Sequence, residues 1–179
     1  MGRYGLLLVA LVLALFPKSV LADGGSAADI FEKFVNPAVK NLSVAAKAVS
    51  EPETARAGES FKIRVAVTIP QGWHIYSMRL EGEDSRLATR IELKPDAFPP
   101  VTEWEESAPV LAMDGVSRKV LKTHSGFAEF SRTLRAPEDL APGEYPVSGA
   151  VEYSACDNKI CAMPKKSSFK TWVRVKGRG

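Results

Sequence analysis

From Leu42 onward, apolar and polar residues alternate in short runs broken by turn residues, the pattern of strands buried on one face. The clearest run covers residues 61–69, with Phe61, Ile63, Val65, Val67 and Ile69 on one face and Lys62, Arg64 and Thr68 on the other. A strand at 44–49 precedes it across a turn read at 52–58, and Pro70-Gln-Gly72 turns the chain into a strand at 73–76. Weaker strands are read at 89–93 and 119–123, and stronger ones at 127–134, 145–153 and 169–175. Residues 96–100 and 137–143 read as turns, whereas 103–117 shows little periodicity although it carries Trp104, Leu111 and Met113. Short strands at regular spacing with almost no helix predict an all-β fold, an immunoglobulin-like antiparallel β-sandwich.

The N-terminus follows a different pattern. Arg3, an apolar run over 6–16 and the small-x-small sequence Val20-Leu-Ala22 read as a secretory signal over residues 1–22, too short in its apolar part for a membrane span. No cysteine follows the cleavage site, so no lipid anchor is expected. Residues 23–41 read as a flexible or irregular lead-in, since Pro37 argues against a long helix over 30–39. The sandwich domain is expected over 42–179, and about 157 residues after cleavage suit one domain. Losing Arg3 and Lys18 turns 24 basic against 21 acidic residues into 22 against 21, so the net charge falls from +3 to +1. Near-neutrality argues against a nucleic-acid partner, and the sparse late cluster Lys165, Lys166, Lys176 and Arg178 reads as a solvated face and terminus. An exported chain is expected to meet an oxidising compartment, where disulfides persist.

The only two cysteines lie together in Tyr153-Ser-Ala-Cys156-Asp-Asn-Lys-Ile-Cys161-Ala-Met-Pro164. Both fall in one hairpin-sized segment, so no disulfide can join the two sheets as in antibody domains. A bridge between them closes a loop of about six residues, worth only about 2 kcal/mol by chain entropy. Two readings stay open: a pair placed for thiol–disulfide exchange, or a local structural clip in a non-enzymatic binding or accessory module. Exchange needs an accessible sulfur and a stabilised thiolate. Lys159, Lys165 and Lys166 would favour a thiolate, while Asp157 beside Cys156 would oppose one.

Gly72-Trp-His-Ile-Tyr-Ser77 combined with this cysteine segment resembles the N-terminal periplasmic domain of the thiol:disulfide interchange protein DsbD, over nearly all of 42–175. The resemblance implies an immunoglobulin-like sandwich with one redox-active pair, Cys156 and Cys161. It implies protein-disulfide reduction, with a membrane-embedded reductase and a thioredoxin-like protein as donors and exported disulfide proteins as acceptors. It also implies that Cys161 meets the donor and that Cys156 completes the exchange. The sequence carries neither a polytopic membrane domain nor a thioredoxin domain, so the module is expected to borrow its electrons, acting as a monomer.

His74 and Tyr76 alternate on one strand and share a face. By resemblance that face lies beside the cysteines, whereas Trp73 points to the core. Part of 104–117 is expected to fold over the pair as a movable cap, because long loops in compact domains are usually functional and Leu111 and Met113 have no strand of their own to pack on. The resemblance implies a bulky apolar residue with an acidic neighbour in that cap, matched here by Met113 with Asp114. Two cysteines with His74 and His124 form a nominal zinc set, but Cys-x4-Cys and scattered histidines match no common zinc spacing. No metal and no other cofactor are expected. His124-Ser125-Gly126 reads as a turn, and no hydrolase triad is present.

Overall fold

The structure, a computed structural model, describes residues 42–94 and 98–177. The signal and lead-in readings, part of the turn at 96–100 and the Arg178 end of the basic cluster lie outside the described residues. The strands are β1 (Ala45–Glu51), β2 (Thr54–Arg56), β3 (Ser60–Thr68), β4 (His74–Tyr76), β5 (Arg90–Leu93), β6 (Glu105–Glu106), β7 (Val110–Asp114), β8 (Lys119–Ser125), β9 (Phe127–Arg135), β10 (Gly143–Tyr153), β11 (Ala155–Cys156) and β12 (Lys165–Lys176). A short 3-10 segment spans Gly82–Leu87.

These strands form three four-stranded sheets, ordered β1-β3-β9-β6, β2-β12-β10-β5 and β11-β4-β8-β7. The fold is an immunoglobulin-like antiparallel β-sandwich, with one parallel pairing where β2 runs beside β12. Alternation explains the core directly. Ile63, Val65, Val67, Phe130 and Leu134 of the first sheet, and Val147, Val151, Val173 and Val175 of the second, are each at most 1% exposed. Phe98 stands edge-on to both Phe61 of β3, at 5.0 Å, and Tyr145 of β10, at 6.0 Å, filling the gap between the sheets. The two sheets are joined by apolar packing, as the placement of the cysteines requires.

Two stretches differ from their sequence reading. Residues 52–58 hold β2 within the expected turn. Three residues are too few to show alternation, and parallel pairing of Thr54, Ala55 and Arg56 with Arg174, Val175 and Lys176 keeps them extended. Residues 103–117 are not an unpatterned loop but contain β6 and β7. Leu111 and Met113 belong to β7, which pairs with β8 from Val110↔Thr123 to Asp114↔Lys119. Their strand is silent in the pattern because backbone pairing at a sheet edge forms it, while Val110, Leu111, Ala112 and Met113 all stay exposed.

Because apolar packing holds the sandwich, a Cys156→Ala, Cys161→Ala variant should keep its β-sheet circular dichroism. Its stability in urea should fall by about 2 kcal/mol. Failure of this variant to fold would make the bridge a structural necessity.

Candidate functional site

The cysteine segment is built by short-range hydrogen bonds. After β11, Asp157 accepts the N–H groups of Lys159 and Ile160 on one carboxylate oxygen, at 2.6 and 2.7 Å. Its own N–H donates to the Ile160 carbonyl at 2.9 Å, and Ala162 N–H donates to Ala155 at 2.8 Å. Asp157 thus closes the turn by the side-chain-to-backbone bonding typical of aspartate. These same N–H groups, Ile160's first and then Lys159's, hold its pKa below the ordinary value. The turn brings Cys161 opposite Cys156, and the two form a disulfide with Cα atoms 4.0 Å apart. The two sulfurs' residues are not equivalent. Cys156 is fully buried, whereas Cys161 is exposed.

Strand pairing sets the neighbours of Cys156. β11 pairs with β4 so that Cys156 faces His74 and Ala155 faces Ile75. Residues opposite one another in a ladder share a face, so Cys156, His74 and, two residues on, Tyr76 project together. Cys156 packs in a buried cluster with Tyr76 and Leu121, bordered by Leu80 and Leu87. Trp73, on the other face, is 9% exposed and belongs to the core, as expected.

Asp114, at the end of β7, completes the group. One of its oxygens accepts the Tyr76 hydroxyl at 2.5 Å and lies 3.0 Å from His74 Nε2. The other accepts the N–H groups of Val116 and Ser117 at 3.1 and 2.5 Å. Asp114 is 1% exposed. Burial alone would raise its pKa, but the hydrogen bonds from Tyr76, Ser117 and His74 outweigh that and bring it down to about 2. Burial, reinforced by the Asp114 carboxylate, holds the Tyr76 phenol above its ordinary value. A neutral phenol therefore donates to an ionised, fully hydrogen-bonded carboxylate. The ligating atoms of His74, Asp114 and Cys156 all lie within 4.8 Å of one another.

The cap candidates divide. Asp114 sits inside the site, while Leu111 and Met113 are 66% and 62% exposed and provide no buried cover. Contact with the cysteine segment comes instead from Gly115, where an added Cβ would lie 2.3 Å from the Asn158 carbonyl oxygen. Only glycine lets the β7–β8 turn approach the cysteine turn this closely. A cleft of about 550 Å³, lined by Trp73, His74, Met113, Ser125 and Asn158, opens beside His74 and the cysteine turn.

Charge is arranged differently from the sequence reading. Lys166 bonds Glu92 at 3.0 Å and Glu152 at 3.3 Å, so two carboxylates already balance it. His124 lies in β8, not in a turn, and contacts Glu106 at 3.0 Å with both side chains at most 5% exposed. Burial would raise the Glu106 pKa, but bonds from His124, Ser77 and the Met78 N–H lower it below the ordinary value. No sequence signal singled out Glu106, which lies in the two-residue strand β6.

A sequence profile of the family described as thiol:disulfide interchange protein DsbD, N-terminal, matches residues 43–172. Among solved structures, the chain is similar to the reduced N-terminal domain of DsbD from Neisseria meningitidis, at 18% identity and a TM-score of 0.47, over 78% of this chain and 91% of that one. It is also similar to the N-terminal periplasmic domain of ScsB from Proteus mirabilis, at 17% identity and a TM-score of 0.46, over 69% of this chain but only 43% of that one. No curated protein matches the chain.

Two outcomes follow from this geometry. Because the folded pKa of Asp114 lies below its ordinary 3.8, the carboxylate contributes stability above about pH 4 that disappears as pH falls towards 2. Asp114→Asn should cost about 2 kcal/mol at neutral pH, and urea unfolding should show a smaller further loss between about pH 4 and 2 than in the parent. Gly115→Ala should push the β7–β8 turn off the cysteine turn and speed reduction of the disulfide by dithiothreitol severalfold. An unchanged rate would show that the turn does not limit access.

Proposed function

The chain belongs to the DsbD N-terminal domain family, and from that premise we propose that it is a periplasmic thiol–disulfide interchange module. In this reading a reversible Cys156–Cys161 disulfide carries two electrons from a donor to exported acceptor proteins. The observation that carries the reading is the asymmetry of the pair, with Cys161 exposed and Cys156 buried beside His74, Tyr76 and Asp114. A thioredoxin-like protein, itself supplied by a membrane-embedded reductase, serves as donor.

The donor thiolate attacks the exposed Cys161 Sγ, because in-line approach to a buried sulfur is blocked. The Cys156–Cys161 bond breaks, its electron pair leaves on Cys156, and a mixed disulfide joins Cys161 to the donor. The second donor thiolate attacks its own mixed-disulfide sulfur, leaving an oxidised donor and a Cys161 thiolate. Cys156 leaves into a site that already holds the ionised Asp114, so it takes a proton to avoid two adjacent negative charges. His74, at 12% side-chain exposure and in contact with Asp114, is the group through which that proton arrives. Transfer to an acceptor runs the same steps in reverse, with Cys161 attacking and Cys156 resolving. Holding Cys156 protonated and buried protects the reduced pair from oxidants, since oxidation follows thiolate character and exposure. The β7–β8 turn acts as the movable cap through Gly115 and Asp114, and the module works as a monomer.

Trapping decides the matter. Cys156→Ser, with its Cys161 thiol first activated as a mixed disulfide by Ellman's reagent, should form a lasting adduct with a reduced thioredoxin-like donor that lacks its resolving cysteine, releasing thionitrobenzoate, whereas Cys161→Ser treated alike should trap little. The parent disulfide should have a reduction potential of about −120 to −270 mV, against below about −300 mV for a structural bridge. A potential in the structural range, with no trapped adduct in either variant, would sink the interchange reading in favour of an accessory module.

A further inference from the structure

We propose that reduction of the cysteine pair creates a zinc-binding site from Cys156 Sγ, His74 Nε2 and Asp114 Oδ2. The inference needs only that the disulfide can be opened, and goes beyond the interchange reading. A thiolate, an imidazole and a carboxylate are the donor types zinc takes, and their atoms already lie within 4.8 Å of one another. A tetrahedral zinc ion with ordinary bond lengths needs ligand separations of about 3.4–3.7 Å, so the side chains must close by about 1 Å. His74 and Asp114, 3.0 Å apart, are already closer than that, so they part by about 0.4 Å as Cys156 closes on them.

The surroundings are those of a supported metal site. The two N–H groups on the other Asp114 oxygen fix the carboxylate plane. Tyr76 bonds the oxygen that faces the site and stays in place as an outer partner. Burial of Cys156 and Asp114 keeps competing water away, while the cleft beside His74 offers a route in. Cys161, freed by the same reduction, or a water fills the fourth position.

In the disulfide Cys156 has no thiolate to give. Once reduced, the thiol loses its proton as the zinc–sulfur bond forms, so one bound ion releases a proton from Cys156. The metal then occupies the sulfur needed for resolution. It also binds the reduced form and not the oxidised one, so free zinc favours reduction at equilibrium.

The test titrates Zn²⁺ alone, against a chromophoric zinc indicator, into oxidised protein, reduced protein and the Cys161→Ser variant. That variant keeps Cys156 free without any reductant, which separates this inference from the redox activity of the pair. Reduced protein and Cys161→Ser should bind one Zn²⁺, and oxidised protein none. His74→Gln and Asp114→Asn, made in the Cys161→Ser background and checked for folding, should each weaken binding about tenfold or more. If one of them does not fold, the other decides. Co²⁺ in place of Zn²⁺ should show a thiolate-to-cobalt charge-transfer band. Equal binding by oxidised protein, unchanged affinity in a folded His74 or Asp114 variant, or a cobalt spectrum without that band would overturn the proposal.

Discussion

The site depends on one buried carboxylate. Asp114 is the point at which three separate pieces of chain meet: β4 through Tyr76 and His74, the β7–β8 turn through its own N–H groups, and the cysteine segment through Cys156. A buried charge is costly unless every lone pair is used, and here Tyr76, His74, Val116 and Ser117 use them. That requirement fixes the hairpin against β4. Close contact between Gly115 and Asn158 then fixes it against the cysteine turn. Remove the charge and the β7–β8 turn loses its reason to sit where it does.

With the hairpin in place, the two sulfurs fall into different environments. Cys161 faces solvent because it lies on the outer arm of the cysteine turn, past the Asp157 bonds that close it. Cys156 lies on the inner arm, in register with His74 and packed on Tyr76 and Leu121. A six-residue hairpin adds little stability, but it holds one sulfur outside and one inside. That division of labour suits exchange better than stapling, since a staple gains nothing from exposing one of its atoms.

The readable parts of the chain are those where one face is buried. β3 declares itself because Ile63, Val65 and Val67 alternate with polar residues, and His74 with Tyr76 follows by the same period. β7 could not be read that way. Its apolar residues point to solvent on an edge strand, so no alternation marks it, and only pairing with β8 makes it a strand. Asp114 was within view only as the neighbour of Met113 in a cap candidate. Its partnership with Tyr76 spans 38 residues and exists only after β4, β8 and β7 have assembled in order. Long-range polar pairing of this kind leaves no local trace in the sequence. The same holds for Glu106 and His124.

Glu106 and Asp114 are built alike, and their surroundings separate structure from chemistry. Each sits on a short strand at a sheet edge, each accepts a hydroxyl and backbone N–H bonds, and each lies 3.0 Å from a histidine. The Glu106 and His124 side chains are both at most 5% exposed, and no cysteine lies among their bonded partners. Such a pair anchors β6, because both Glu106 oxygens are bonded and the two side chains are closed off from solvent. At Asp114 the histidine keeps an edge in the cleft, and a sulfur able to change its charge lies within 4.8 Å. The same carboxylate–histidine device therefore stands, at Asp114, beside the cysteine pair, and under the proposed function its position there is what turns an anchor into a group that moves a proton.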